Sequence, residues 1–360
     1  MEKHKIAFAI HAIGEGGAER VTTILCTRFA EKGYEVHLIT NHQRDWEYPV
    51  SSMVKRHIIG ENVSSFRPLA SCQRISRLRN ILKKEKYDVI LAFMSMNEYS
   101  VFATAGLRTK NIISLRNAVE KLYPSKLKRG IFIELLSLAS GAVFQTEEAM
   151  SWFPKRFQEK STIIFNPVWS QFYQVKREVE PGLMVASGRL VPQKNYSMML
   201  HAFALVASEY DVRLEIYGNG AEKGRLEKIV EKLEISDKVK FCGQSNDVPS
   251  VLARADIFLM TSDFEGLPNS LMEAMAVGVP CVCTDCLGGG PRFLLGNSER
   301  GLLVRMNDEL LFADAIMHYL NSESTKKNKA EAARAYAKRF SVDNCFDAWE
   351  NYVLNVINNK

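Results

Sequence analysis

Two glutamates eight residues apart, Glu265 and Glu273, mark the stretch of this sequence where chemistry is easiest to place. The apolar run 257–260 predicts a buried strand, and a helix capped by Asn269 or Ser270 follows. Glu265 therefore lies in a loop at the carboxyl end of a strand, and Glu273 one turn into the next helix. Ligands of open α/β sheets bind outside these strand ends, so both carboxylates are placed to meet one ligand. The alternative is a helix-dipole contact and a solvated loop residue.

Basic residues follow another strand of the same half. Arg189 and Lys194 share the loop after the predicted strand 183–187, and an Arg with a Lys in such a loop suits a diphosphate. Gly218 and Gly220 follow the next strand, where a missing side chain lets the backbone approach a nucleotide closely. A solvated surface pair is the alternative for the two cations. Together these loops can carry a base, a ribose, a diphosphate and a sugar.

The elements that must position these residues alternate between strands and helices along the whole chain. That alternation predicts parallel sheets covered by helices on both faces. A length of 360 residues suits two domains. Periodicity weakens and turn residues accumulate over 165–181, so we place the boundary there, with domains of 1–170 and 171–341. A final amphipathic helix spans 342–358.

The first half opens with its own candidate anion site. The strand 5–10 runs into a loop with Gly14, Gly16 and Gly17, and a helix ending before Gly33 follows. A strand, a glycine loop and a helix in this order point backbone N–H groups at an anion. The glycine spacing fits neither the dinucleotide-binding nor the P-loop pattern, so taken alone the signal is weak.

Charge is distributed unevenly between the halves. Residues 1–170 carry 25 Lys and Arg against 16 Asp and Glu, whereas the remainder carries 22 against 25. The excess lies in 71–130, which includes a basic amphipathic helix (73–86) and the basic run 121–129. Arg74, Arg77 and Lys84 are expected to face outward from that helix, either as a solvated face or as a surface for phosphates. Nucleic acid, an anionic bilayer and a pyrophosphate-bearing lipid are all possible partners at this point.

Composition excludes several other classes of protein. No apolar run approaches the roughly 20 residues of a membrane span, and the start of the chain does not resemble a signal peptide, so we expect a cytoplasmic protein. Seven cysteines fit reduced thiols better than a disulfide framework. Cys281, Cys283 and Cys286 lack a fourth ligand at zinc-like spacing, which favours buried thiols over a metal site.

Taken together, the motifs resemble those of retaining glycosyltransferases of the GT-B fold, in the family-four class marked by a pair of glutamates eight residues apart. The similarity extends over essentially the whole chain, and it is strongest to bacterial enzymes that extend polyprenyl-diphosphate-linked sugars with N-acetylgalactosamine or related hexoses. The matching pieces are Gly188-Arg189-Leu190, Lys194-Asn195, Gly218-x-Gly220, Ser262-Asp263-x-Glu265-Gly266-Leu267-Pro268, Glu273-Ala274-Met275-Ala276-x-Gly278-x-Pro280, Gly16-Gly17-Ala18-Glu19-Arg20 and Phe144-Gln145-Thr146-Glu147.

The resemblance implies two Rossmann-like domains that face a central cleft, with 342–360 packing back on the first domain. It also implies roles for individual residues. The donor side would use Arg189 and Lys194 on the diphosphate, Glu273 on the ribose, Glu265 on the sugar, and Gly188, Gly218, Gly220, Gly266 and Leu267 around them. The acceptor side would use Gly16, Gly17, Arg20 and Asn117, with Arg74, Arg77 and Lys84 near an acceptor pyrophosphate or an anionic membrane.

The implied reaction is transfer with retention at the anomeric carbon, by attack on the face that the leaving phosphate occupies. Stabilising that phosphate would be the main catalytic effect. No D-x-D motif follows a strand, so no metal or other cofactor is expected. Many relatives carry a histidine where this chain has Arg116; because an arginine cannot act as a base, it is expected to bind a phosphate or orient a sugar. His11 is a substitute candidate with a structural alternative.

The sequence leaves the donor sugar, the acceptor and the linkage open, with UDP-N-acetylgalactosamine as the first guess. Once the resemblance is considered, nucleic acid is only the runner-up partner and is not expected, because no stacking aromatics interleave with the basic residues. Peripheral attachment to the inner face of the cell membrane is expected instead. Two other functions are weighed: a sugar-nucleotide epimerase of the same fold, and a catalytically silent member that only binds nucleotide-sugars.

Overall fold

Two parallel β-sheets organise the chain, one in each of its two structural units. The computed structural model describes residues 4–14, 16–116 and 119–359. Unit 1 comprises Met1–Pro167 together with Asp343–Lys360, and unit 2 comprises Val168–Val342. The unit boundaries therefore lie at 167/168 and 342/343, whereas the sequence suggests 170/171 and 341/342.

The described part of unit 1 contains a seven-stranded parallel sheet. Its strands are β1 (Lys5–Ile10), β2 (Glu35–Thr40), β3 (Lys55–Ile58), β4 (Val89–Phe93), β5 (Lys110–Ser114), β6 (Gly141–Phe144) and β7 (Thr162–Ile163). Their order across the sheet is β3-β2-β1-β4-β5-β6-β7. The winding direction reverses between β1 and β4, which is where a doubly wound sheet leaves a crevice for ligands at its carboxyl edge.

The described part of unit 2 contains a six-stranded parallel sheet. Its strands are β8 (Leu183–Ser187), β9 (Arg213–Tyr217), β10 (Val239–Gly243), β11 (Ile257–Met260), β12 (Cys281–Asp285) and β13 (Leu302–Arg305). The order β10-β9-β8-β11-β12-β13 reverses between β8 and β11. The prediction of two doubly wound parallel sheets is confirmed.

Helices connect the strands of both sheets and cover them. In chain order they are α1 (Gly17–Glu31), α2 (Arg67–Glu85), α3 (Met96–Thr104), α4 (Val119–Leu122), α5 (Lys126–Leu136), α6 (Glu147–Ser151), α7 (Lys155–Gln158), α8 (Ser170–Gln174), α9 (Tyr196–Ala207), α10 (Lys223–Lys232), α11 (Val248–Arg254), α12 (Asn269–Val277), α13 (Gly290–Leu295), α14 (Glu309–Asn321), α15 (Glu323–Ala337) and α16 (Val342–Asn358). Among the described residues, no helix combines the length and apolar composition needed to cross a bilayer.

Helix α16 follows unit 2 in sequence but packs into the core of unit 1. Its apolar residues recur at helical spacing, and Phe346, Trp349 and Val353 are buried in one cluster with Phe8 and Phe93. At the helix surface, Tyr34 and Lys32 bond the Glu350 carboxylate. This is the packing that the resemblance implies for the last helix.

Several element boundaries differ from those expected from the sequence. Helix α2 begins at Arg67 rather than at residue 73, because Pro68 is compatible with a first helical turn. Helix α3 begins at Met96, inside a stretch expected to be a loop, and α8 lies inside the expected linker. Helix α12 follows Pro268 without a side-chain cap, so neither Asn269 nor Ser270 caps it. The sequence predicts a strand over 279–283, and β12 begins two residues later, at Cys281.

Candidate functional site

The two loops beside the strand reversal of unit 2 bring together a lysine and a glutamate. Lys194 belongs to the loop after β8, and Glu265 to the loop after β11. Lys194 Nζ lies 2.6 Å from Glu265 Oε1, and Ser262 Oγ donates to the same oxygen at 2.9 Å. Both charged side chains are largely buried, at 15% and 10% exposure. Glu265 Oε2 accepts no hydrogen bond within the part of the chain that the structure describes, so it remains available to a ligand.

Hydrogen bonds between these loops hold the pair in place. Gln193 Nε2 donates to the Phe264 carbonyl at 2.8 Å, and the Asp263 N–H donates to the Gln193 carbonyl at 2.8 Å. Asn195 Nδ2 donates to Asp263 Oδ1 at 2.9 Å. Asn195 itself has a left-handed backbone (φ 45°) and caps α9. Because both loops are tied to each other, the Lys194–Glu265 geometry is set before any ligand binds.

Arg189 does not share the environment of Lys194. Its side chain is exposed to solvent, and it makes no ion pair or hydrogen bond with any residue that the structure describes. Arg189 and Lys194 are predicted to act together on one anion. In the structure Lys194 forms an ion pair with Glu265, whereas Arg189 is exposed to solvent. The Arg189 guanidinium thus carries its charge into solvent, whereas the Lys194 ammonium is already paired with Glu265.

The glycines after β9 serve loop packing. A Cβ atom on Gly218 would lie 2.0 Å from the Gly188 carbonyl oxygen, and one on Gly220 would lie 2.1 Å from the Leu190 carbonyl oxygen. The Leu190 N–H also donates to the Asn219 carbonyl at 2.9 Å. The loop carrying Arg189 therefore rests directly on the next loop. From the sequence, Gly218 and Gly220 are interpreted as allowing the backbone to approach a nucleotide closely. That interpretation does not include this contact between two backbone segments.

The second glutamate of the motif occupies the helix after the Glu265 loop. Glu273 is the fifth residue of α12 and is buried at 5% exposure. Gly266 and Leu267, which join the loop to this helix, are buried as well. Gly290 supports them, because a Cβ atom there would lie 1.5 Å from the Gly266 carbonyl oxygen. The structure places both motif glutamates in unit 2, Glu265 in the loop after β11 and Glu273 in α12.

Unit 1 places a buried arginine at the carboxyl edge of its sheet. Arg116 Nε donates to Ser114 Oγ at 3.0 Å, and Nη1 donates to Asn166 Oδ1. The guanidinium carbon lies 5.1 Å from the ring centre of Phe93 and 5.8 Å from that of Trp349. Nη2 is buried with no hydrogen-bond partner among the described residues. Burial lowers the pKa of Arg116 to about 9.

The surroundings of Arg116 lack the usual counter-ion of a buried arginine. No carboxylate pairs with Arg116 in the described part of the chain. Two aromatic rings, those of Phe93 and Trp349, lie beside the guanidinium instead. Burying a cation without an anion is costly, which agrees with the lowered pKa of this guanidinium. Asn166 Oδ1 also accepts from Gln145 Nε2 at 2.7 Å, which orients the amide toward Arg116.

The glycine loop of unit 1 already holds an anion from its own chain. The Gly14 N–H donates to Glu19 Oε2, and the Gly16 N–H approaches the same oxygen at 3.4 Å, forming a capping box at the start of α1. Arg44 Nη2 lies 3.9 Å from the other oxygen of Glu19. Gly17 is exposed in the first turn, and Arg20 is half-buried. The expected anion site is therefore partly filled by Glu19.

Helix α2 uses its arginines differently from the prediction. Arg77 donates to the carbonyls of Ile59 and Asn62 at 3.1 and 3.3 Å, so it fastens a loop rather than facing solvent freely. Arg74 is half-buried, and its Nε has no hydrogen-bond partner among the residues that the structure describes. Lys84 is exposed as expected. The predicted outward-facing set is wrong for Arg77.

The remaining predicted residues of unit 1 add little to a site. His11 Nδ1 lies 2.8 Å from Asn41 Nδ2, and burial with nearby cations lowers its pKa. His11 is exposed just after β1 and bonds Asn41, and its role as a substitute for the family histidine stays a prediction. Asn117 lies outside the described residues.

Two adjoining family models match this chain. Glycosyltransferase Family 4 matches residues 15–168, and Glycosyl transferases group 1 matches residues 168–339. The chain belongs to glycosyltransferase family four. The matches divide it at the boundary between unit 1 and unit 2, so the acceptor-side and donor-side predictions fall on different family models.

Individual relatives agree with this family. An undecaprenyl-diphosphate-linked glycan α-1,4-N-acetyl-D-galactosaminyltransferase of Campylobacter jejuni is 28% identical, over 98% of this chain and 99% of its own. A second N-acetylgalactosaminyltransferase of that organism, named for a diacetylbacillosaminyl-diphospho-undecaprenol substrate, is 26% identical over 93% and 95%. The Anabaena protein HepE, solved with UDP, has the same fold, with a TM-score of 0.80 at 17% identity over 98% of this chain and 100% of HepE. The predicted family and GT-B fold are confirmed.

The cysteines of this glycosyltransferase are not arranged around a metal. Cys281, Cys283 and Cys286 are buried free thiols, as predicted, and burial raises the pKa of each. Among the described residues, the one group of His, Cys, Asp and Glu close enough to share an ion is Glu35, His37 and Glu85. Its carboxylates already share a cation, because Lys5 Nζ lies 3.2 Å from Glu35 and 2.7 Å from Glu85.

The sequence did not identify the residues that contact and position the predicted site residues. Ser262 belongs to the loop motif but has no predicted role, although a hydroxyl three residues before a loop glutamate can reach its carboxylate. Asn166 lies 50 residues from Arg116 in the sequence, and Trp349 lies much further away. No local sequence pattern links either residue to Arg116. A polar residue just after a strand was the available hint for Asn166.

Proposed function

We propose that this glycosyltransferase moves a hexose or N-acetylhexosamine from a nucleotide-sugar to a polyprenyl-diphosphate-linked glycan, with retention at the anomeric carbon and without a metal ion. N-acetylgalactosamine from UDP is the first donor to test. The observation that carries this proposal is the match, over nearly the whole of both chains, to an N-acetylgalactosaminyltransferase that is named for an undecaprenol-linked glycan. The product would serve surface polysaccharide or glycan-precursor synthesis on the cytoplasmic face of the membrane.

The donor is proposed to bind at the strand reversal of unit 2. Glu273 would accept from the ribose hydroxyls, and Glu265 Oε2 would accept from a sugar hydroxyl. Lys194 and Arg189 would neutralise the diphosphate and stabilise the charge that develops on it as the glycosidic bond to the sugar breaks. The support is positional: Lys194 and Glu265 are held 2.6 Å apart across the loops at that reversal.

Lys194 is proposed to exchange its partner during turnover. In the structure its ammonium bonds Glu265 Oε1, a carboxylate also bound by Ser262. A diphosphate beside this pair would draw the ammonium toward itself, while Ser262 keeps Glu265 oriented toward the sugar. The departing phosphate would then accept the proton of the attacking hydroxyl, which requires no protein base.

The acceptor is proposed to approach unit 1. Arg116, with its unpartnered Nη2, would bind a phosphate or a sugar oxygen, and Gly16, Gly17, Arg20 and Asn117 would line the approach. Arg74 and Lys84 would attract an acceptor pyrophosphate or anionic lipid. Because Arg77 fastens a loop, its proposed contribution is structural.

The test is a donor screen with the purified full chain. Each common UDP- and GDP-sugar is offered with a synthetic polyprenyl-diphosphate-linked acceptor, with and without a chelator, and nucleotide diphosphate release is followed. Turnover with one donor, unaffected by the chelator, is expected. It should be lost in Lys194→Ala and Glu273→Ala but kept in Lys232→Ala, a surface lysine of the same unit. Proton NMR of the product reads the anomeric configuration.

Each alternative has its own result in this screen. Nucleotide binding without turnover on any acceptor would favour a silent binding member. Interconversion of two nucleotide-sugars without an acceptor would favour an epimerase. Failure to bind any nucleotide would refute the donor site itself, and strict dependence on a divalent cation would refute the metal-free mechanism.

A further inference from the structure

Helix α5 of unit 1 and the residues after it expose an unusual amount of apolar surface. Leu127 is 76% exposed, Ile131 60% and Leu138 74%. Leu127 and Ile131 lie four residues apart on the helix and so project from one face, and Leu138 follows its last turn. Large apolar side chains are commonly exposed one at a time; three in twelve residues of one segment are not explained by the fold.

Neighbouring helices extend this apolar surface. Helix α3 contacts both α2 and α5. Ser71 Oγ, near the start of α2, lies 3.0 Å from the Tyr99 hydroxyl of α3. The half-exposed Phe102 of α3 follows Tyr99 by one turn, and Phe66 and Leu69 are exposed at the start of α2. Helices α2 and α3, which contact each other and of which α3 also contacts α5, therefore carry exposed apolar residues of their own.

Basic side chains surround the same apolar residues. Lys126 and Lys128 flank Leu127 and are exposed, and Arg129 stacks on the ring of Trp152 at 4.5 Å. Glu134 is the only acidic residue of α5. Apolar residues flanked by lysines on an interfacial helix match the boundary between acyl chains and anionic headgroups. A protein partner for this surface would need acidic groups around an apolar centre. The exposed residues of the surface do not by themselves select such a partner.

We propose that the α5 face, defined as Leu127, Ile131 and Leu138 with Lys126 and Lys128, inserts into the headgroup region of an anionic bilayer. The inference rests on the membrane association proposed above and identifies the surface responsible. It moves the main contact away from α2, because Arg77 and Arg79 of α2 donate to backbone carbonyls. Insertion also predicts that attachment survives high salt, unlike attachment by charge alone.

Sedimentation with lipid vesicles tests this assignment on the full chain. Vesicles of phosphatidylcholine, with and without phosphatidylglycerol, are used at low and high salt. The double variant Leu127→Gln, Ile131→Gln should lose about tenfold in partitioning onto anionic vesicles at both salt levels. Lys126→Gln with Lys128→Gln should weaken binding at low salt only. Leu310→Gln is the matched control, since Leu310 is 68% exposed on α14 of unit 2.

Three results would overturn the assignment. The first is unchanged partitioning of the Leu127 and Ile131 double variant; the second is wild-type binding no stronger to anionic than to neutral vesicles. The third is a change in oligomeric state of the double variant by light scattering, which would make the face a protein interface. Transfer to a short, water-soluble acceptor should be unaffected in the double variant. Failure of that transfer in the wild type would count against the proposed function and leave vesicle binding as a separate result.

Discussion

Replacing Arg116 by methionine should separate stability from activity. Its buried guanidinium pairs with no carboxylate among the residues that the structure describes, and burial lowers its pKa from 12.5 to about 9. That difference corresponds to a penalty on the order of 5 kcal/mol for keeping the charge in the folded state, since each pKa unit is worth about 1.4 kcal/mol. When folding lowers the pKa of a basic group, the group is charged in both the folded and the unfolded state at every pH below its folded-state pKa. The full penalty therefore applies at pH 7.

The interactions lost on substitution offset much of that penalty. Two hydrogen bonds from the charged group, to Ser114 and Asn166, contribute about 1.5–3 kcal/mol each. Contacts with the rings of Phe93 and Trp349 contribute about 1 kcal/mol each, and a methionine sulfur recovers part of them. We therefore expect Arg116→Met to change the free energy of unfolding by less than about 2 kcal/mol.

Activity should respond very differently. If Arg116 binds an anionic group of the substrate, Arg116→Met should lower kcat/KM about a hundredfold or more, corresponding to about 2.7 kcal/mol. Urea unfolding followed by circular dichroism gives the stability, and nucleotide diphosphate release gives the kinetics. Arg177→Met is the matched control: burial also lowers the pKa of Arg177, which donates to the Ala255 carbonyl at 2.8 Å at the amino edge of the unit 2 sheet. The control should keep wild-type kinetics.

Two outcomes would refute this reasoning. A loss of more than about 3 kcal/mol of stability in Arg116→Met would show that the guanidinium stabilises the fold. Its contribution would then resemble that of a buried ion network in which every group has a partner. Wild-type kcat/KM in a folded Arg116→Met would show that the unpartnered Nη2 meets no substrate. Arg116→Lys, which keeps the charge but loses the planar fork, should recover only part of the activity.

Three further predictions concern other parts of the molecule. Gly218→Ala should cost more than about 3 kcal/mol in urea unfolding, because its Cβ would lie 2.0 Å from a backbone carbonyl oxygen; a loss under 1 kcal/mol would contradict the loop packing. Ser262→Ala should lower kcat about tenfold with little change in stability, since Glu265 loses one of its two hydrogen bonds; unchanged kinetics would remove Ser262 from the site. Burial lowers the pKa of His37 and His57, so stability should be complete above about pH 6.5 and fall as the pH drops below it; His37→Gln should flatten this dependence in unfolding measured at several pH values, and an equally steep curve would show that other groups cause it.

The sequence by itself determined the strands other than β7, most of the helices and the two-sheet organisation. Continuous apolar runs such as 89–93 and 257–260 predict strands because buried parallel strands are apolar on both faces. Helical periodicity predicts helices over 308–321, 324–339 and 342–358, and α14, α15 and α16 match them within two residues. A threonine before two glutamates predicts a helix cap, and Thr146 caps α6. These features depend on interactions between residues a few positions apart, which a sequence displays directly.

Which polar residues meet was decided only by the tertiary structure. Lys194 and Glu265 are 71 residues apart, and their contact exists because β8 and β11 are neighbours at the strand reversal. Arg116 receives an aromatic face from Trp349 because α16 returns to unit 1 after the whole of unit 2. Parallel strands are joined by long crossover connections, so groups adjacent in space at the carboxyl edge of a sheet are necessarily distant along the chain.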